Sequence, residues 1–107
     1  MNLLKWNKEF ALEQAADDKE LLQELIEIFK GSFLNDLQQL EEGLKENAAD
    51  KICSAAHSIK GAAASLGIEG IREAALAVEE DSRAGNMEMA QSKLPLLKSL
   101  LTELQNI

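Results

Sequence analysis

Apolar residues recur along this chain at steps of three and four, the spacing that gathers side chains on one face of a helix. The longest run is Leu22, Ile26, Phe29, Phe33, Leu37, Leu40 and Leu44. Asp17 or Asp18 is placed to cap its N-terminus, and Gly31 and Gly43 are tolerated costs inside it. Asn47 to Asp50 resembles a capping box and opens a second helix with the stripe Ile52, Ala56, Ile59, Ala63 and Leu66, closed by Gly67. A third helix runs from about Glu69 to Arg83 and buries Ile71, Ala74, Ala75 and Val78, with a break at Gly85-Asn86. The fourth carries Ala90, Leu94, Leu97, Leu101 and Leu104. Pro95 either kinks this helix or marks the first turn of a segment that restarts near Leu94. A weaker segment, from about Lys8 to Ala16, precedes all four, with Trp6, Phe10 and Leu12 set to lie across a bundle end. Breaks this short make neighbouring helices antiparallel. The expected fold is all-α, an up-down four-helix bundle with a short additional N-terminal helix, in one domain spanning residues 1–107.

Composition reinforces helix: one Pro, no Tyr, four aromatics, and abundant Ala, Leu, Glu and Lys. No segment alternates in the manner of a strand. The formal net charge of −8 argues against nucleic-acid binding. No apolar run approaches the roughly 18 residues of a membrane span, and nothing resembles a signal peptide. With the single Cys53, which excludes an internal disulfide, these features lead to the expectation of a cytoplasmic protein with no membrane or nucleic-acid partner.

The candidate chemistry centres on His57, the chain's one histidine. Measured from the stripe of its helix, His57 lies at roughly 140°, Gly61 at about 180°, Ala64 at about 120°, Cys53 at about 100° and Lys60 at about 80°. The imidazole is therefore expected to face solvent among small side chains, a low surface against which another protein can press. A glycine in mid-helix is worth about 1 kcal/mol less than alanine, and alanines occupy positions 62, 63 and 64. Close approach of a partner explains Gly61, and so does close packing on a neighbouring helix. Lys60 is either a solvated charge or the group that offsets negative charge acquired by His57. Folding the hairpin about Gly67-Ile68 sets His57 opposite Val78 or Glu79. Val78 belongs to the buried stripe, so Glu79 is the residue free to approach the ring. It then either accepts a ring N–H and fixes the tautomer, or stays a surface glutamate.

Competing chemistries are thinner. Cys53 and His57, at i and i+4, supply only two metal ligands, so no metal site is expected. A Cys53 nucleophile with His57 as base lacks an orienting residue and an oxyanion loop. No glycine-rich phosphate loop follows a strand.

The run Ala56-His57-Ser58-Ile59-Lys60-Gly61-Ala62-Ala63-Ala64-Ser65-Leu66-Gly67 resembles the signature of histidine-containing phosphotransfer (HPt) domains, HxxKGxxxxxG. The resemblance extends from about residue 8 to 105. It implies that His57 is a phosphoacceptor in a phosphorelay, modified on Nε2. Lys60 would help stabilise the phosphoryl group, with Ser58, Gly61, Ala64 and Cys53 on or near the partner-facing surface. Glu79 stands where many relatives carry a polar residue, often Gln. The implied partners are receiver domains of response regulators, including those of a hybrid sensor histidine kinase. On this resemblance Mg²⁺ is expected on the receiver, and this chain is expected to be a monomer with no cofactor, no ATP site and no turnover of its own. A chemically silent interaction module and the phosphotransfer domain of a chemotaxis-type kinase are the alternatives.

Overall fold

The computed structural model describes residues 3–107. Five helices follow in order: α1 (Lys8–Gln14), α2 (Lys19–Glu46), α3 (Ala49–Ser65), α4 (Glu69–Arg83) and α5 (Glu88–Gln105). Helices α2 to α5 form an antiparallel ring in which α5 closes back onto α2, and α1 crosses one end. At about 1.5 Å per residue, the 28 residues of α2 reach about 42 Å, the 42 Å length of the whole molecule.

The sequence stripes supply the core. Phe33, Leu40, Ile52, Ile59, Leu97 and Leu104 are fully buried, and Phe29 stacks on Phe33 with ring centroids 5.6 Å apart. Three turns join the four long helices by one device. Asn47, Gly67 and Gly85 each adopt a left-handed conformation (φ +54°, +69° and +90°). The next residue's N–H then reaches back to the carbonyl five residues earlier: Ala48 to Gly43, Ile68 to Ala63 and Asn86 to Asp81. These carbonyls would otherwise be orphaned at the helix ends, and the chain reverses within two to four residues.

Several sequence expectations are corrected here. The Asn47–Asp50 capping box does not form. Asn47 is consumed as the left-handed terminator of α2, and Ala48 takes the N-cap position of α3 with no side-chain bond to offer. Gly43 is a requirement, since a Cβ there would stand 2.7 Å from Ile52 Cγ1. Helix α1 ends at Gln14, because Ala16 and Asp17 turn left-handed, and Asp18 caps α2 by accepting from the N–H groups of Glu20 and Leu21. Phe10 does lie across the bundle end, against Gly67 of the α3–α4 turn, but stays 36% exposed, while Ala11, Ala15 and Leu4 are buried, as small residues let a seven-residue helix sit flat. Helix α5 runs unbroken through Pro95, which is exposed, so the carbonyl of exposed Gln91 loses its donor on the solvent side.

An N-terminal strap secures the α3–α4 turn. The Trp6 indole donates to the Leu66 carbonyl (3.0 Å), Asn7 N–H to Gly67 O (2.9 Å) and Gly70 N–H to Leu4 O (2.8 Å). A Cβ on Gly70 would meet Leu3 O at 2.0 Å, so this glycine is what lets the strap lie against α4. The turn that the strap pins sets the register between α3 and α4, and so decides what His57 faces.

Candidate functional site

On α3 the buried face is Ile52, Ala55, Ala56, Ile59 and Ala63. His57 points away from it, with 68% of its side chain exposed. Ser58 and Gly61 share that exposed side, while Ala64 and Cys53 are half-buried at its margins. Gly61 has no heavy atom within 4 Å of where a Cβ would stand, so helix packing does not account for it.

Register across the α3–α4 hairpin buries both Val78 and Glu79. Glu79 is only 1% exposed, and so is not a surface glutamate. Its Oε2 lies 2.6 Å from His57 Nδ1 and 2.8 Å from the Arg83 guanidinium, while the Lys60 ammonium sits 2.7 Å from Oε1. The Lys60 contact is one of charge, without the alignment of a good hydrogen bond. Burial pushes the Glu79 carboxyl up, but Lys60 and the His57 ring outweigh that and hold it below the ordinary carboxylate range. An ionised Glu79 can only accept, so Nδ1 carries a proton, and in the neutral ring the lone pair is then on Nε2.

With the imidazole neutral, Glu79, Lys60 and Arg83 carry a formal sum of +1 in a chain whose net charge is −8.

The structure thus gathers His57, Lys60 and Glu79 into one network. Ser58 faces α2, where its hydroxyl donates to Asp36 Oδ2 at 2.7 Å. The Cys53 thiol is directed to the Glu79 backbone carbonyl at 3.7 Å. Among the described residues no group of three or more His, Cys, Asp or Glu is placed to hold a metal. Sequence reasoning missed Arg83, although its i+4 spacing from Glu79 was legible, and Asp36, whose pairing needs the α2–α3 register. It also missed Ile28, which is 68% exposed on α2 beside a shallow groove of about 330 Å³ lined by Leu25, Ser32, Ala62 and Ser65. An isoleucine outside the core stripe carries no signal until the neighbouring helix is in place.

No curated protein matches the chain. Among solved structures, it is similar to the HPt domain of a hybrid sensor histidine kinase from Shewanella, with a TM-score of 0.79 at 17% identity, over 98% of this chain and 94% of that one. At that identity the likeness is one of fold. No helix among the described residues is long and apolar enough to cross a membrane. The Hpt domain family model matches residues 24–107, a span that contains the entire histidine network and all of α3, α4 and α5. Hpt domains are phosphotransfer modules rather than independent enzymes, with response-regulator receivers as their general partners. The chain belongs to the Hpt domain family, and its function is phosphotransfer in a phosphorelay.

Proposed function

We propose that His57 is the phosphoacceptor and that this chain, as a single monomeric domain, passes the phosphoryl group between receiver aspartates without turnover of its own. One arrangement, seen in three features, carries the reading. The imidazole is exposed, Glu79 holds its Nδ1 proton, and the adjoining surface at Gly61 is open.

In the forward step the Nε2 lone pair attacks the phosphorus of the receiver's aspartyl phosphate. The Nε2–P bond forms as the P–O bond breaks, and the electron pair leaves on the aspartate carboxylate. The ring proton stays on Nδ1, facing Glu79. Lys60, only 28% exposed and anchored one turn from His57, is placed to turn its ammonium to the phosphoryl oxygens. Mg²⁺, which the receiver's acidic pocket would hold, would supply charge neutralisation for the leaving carboxylate. Because phosphoryl transfer asks the protein mainly for position and charge, a low docking face matters as much as the nucleophile. Ser58 and Gly61 provide that face on α3, and Ile28 and Leu25 on α2 extend it with apolar surface.

Incubation with a phosphorylated receiver and Mg²⁺ tests the assignment. Acid-labile, alkali-stable label is expected on the wild type and absent from His57→Gln. Equal labelling of the two proteins would remove His57 from the role, and loss of label in Cys53→Ser would transfer it to the thiol. A wild type that binds receivers yet never takes label would be a silent interaction module.

A further inference from the structure

An amide oxygen at position 79 could also accept a hydrogen bond from Nδ1–H, so orienting the ring does not by itself account for the negative charge of Glu79. We infer that the Glu79 carboxylate sets the rate at which the phosphorylated histidine gives up its phosphoryl group, making the site a ready donor of the phosphoryl group and a poor store of it. The inference rests on His57 being the acceptor.

Two effects of this geometry act in the same direction. The first concerns the ring proton. Attack by Nε2 leaves the imidazole bonded to phosphorus at one nitrogen and to hydrogen at the other, so the ring becomes cationic. A carboxylate 2.6 Å from Nδ1 stabilises that cation and keeps the proton in place. When the Nε2–P bond next breaks, its electron pair returns to Nε2 and the ring departs as neutral imidazole, with no proton to be fetched. A neutral amide would let the adduct shed the proton to water. The departing ring would then be an imidazolate, a much poorer leaving group.

The second effect concerns the cations. Lys60 and Arg83 are the groups available to balance the phosphoryl charge, and in this site both are already engaged with Glu79. A phosphoryl group on His57 must share them with a carboxylate that cannot move into water, since it is 1% exposed and screened little by salt. The like charge also raises the energy of the phosphorylated state directly. The charged and titratable groups that face the Glu79 carboxylate are His57 and Lys60 from α3 and Arg83 from α4. From α2, Asp36 is paired with Ser58. Glu79 is thus a positioning residue whose charge, beyond its hydrogen bond, carries the effect.

Wild type and Glu79→Gln, which conserves shape, are each mixed with a phosphorylated receiver and Mg²⁺. The rate of phosphoryl transfer from phosphorylated His57 to a receiver is expected to fall about tenfold in E79Q (~1.4 kcal/mol). The phosphohistidine half-life should lengthen in the same proportion. Nitrogen NMR of the phosphorylated proteins should show Nδ1 losing its proton at lower pH in E79Q than in wild type. Should E79Q fail to fold, wild type alone decides. Its phosphorylated ring must hold the proton to higher pH than phosphohistidine in a short peptide spanning residues 54–60. A ring that titrates like the peptide overturns the inference. So does a labelled wild type that E79Q matches in transfer rate, half-life and titration, and that result leaves the acceptor assignment intact. A wild type that never takes label removes both together.

Discussion

Gly61 offers a substitution whose effects on stability and on transfer should have opposite signs. It lies within α3, one turn beyond His57, exposed and with no heavy atom within 4 Å of the place a Cβ would take. Gly61→Ala therefore introduces no clash. It restricts the unfolded chain and supplies the better helix former, for a gain of about 0.5–1 kcal/mol. For a domain of this size that gain corresponds to a rise in Tm of roughly 2–6 °C. Transfer should move the other way. A side chain that holds the receiver back by about 1 Å can slow in-line attack on the order of 10²-fold. The loss should be partial in Gly61→Ala and near that value in Gly61→Glu, which adds a charge facing the receiver's acidic pocket. Gly31, equally free of neighbours on α2, is the internal control for the stability term. Urea or thermal denaturation gives the first quantity, and single-turnover transfer from a phosphorylated receiver gives the second. If Gly61→Ala melts below wild type, the glycine serves packing. If Gly61→Glu transfers at the wild-type rate, the receiver does not approach this face, and the surface drawn around His57 is misplaced.

Other outcomes can be checked on the same preparations. Gly43→Ala should lose about 1–3 kcal/mol, because its Cβ would stand 2.7 Å from Ile52 Cγ1; a gain resembling that at Gly61 would show that α2 and α3 separate freely there. Lys60→Ala should slow transfer and shorten the life of the phosphohistidine, whereas unchanged kinetics and lifetime would make Lys60 a charge partner of Glu79 only. The Glu79 carboxyl lies below its ordinary value of 4.5 in the folded protein, so its ionised form adds stability that is present above pH 4.5 and is lost as the pH falls through the folded value. Denaturation at a series of pH values should therefore show the stability of wild type relative to E79Q falling on acidification below 4.5, and a relative gain there would reverse the sign assigned to Lys60 and His57. Ile28→Glu should weaken receiver binding with little change in Tm, since the side chain is 68% exposed; an unaltered affinity would place the docking surface elsewhere.

Much of the fold could be read from one dimension because helical periodicity is a local property. The stripes through Phe33, Ile59 and Leu97 name the core directly, and Gly67 and Gly85 mark two of the three reversals. Helical phase likewise turned His57 outward and set Gly61 beside it. Where reading failed, the deciding partner lay on another helix or the residue had two possible uses. Asn47 can cap the start of one helix or terminate another in the left-handed conformation, and the terminator was chosen because its N–H and that of Ala48 satisfy the end of α2. Gly43 resembles Gly31 in sequence, and only the approach of Ile52 separates a required glycine from an incidental one.

By itself the sequence determined four amphipathic helices, their antiparallel order and an outward histidine with Lys60 and Gly61 next to it. These follow from spacing along a single helix. It left open whether Glu79 was a partner of the ring or a solvated charge. Tertiary structure decided that question, because the α3–α4 register buries the carboxylate against Nδ1 and draws Lys60 and Arg83 to it. The reason is physical: burying a charge is tolerated only where opposite charges and donors converge on it, and convergence from two helices is a property of their packing that no stretch of sequence contains.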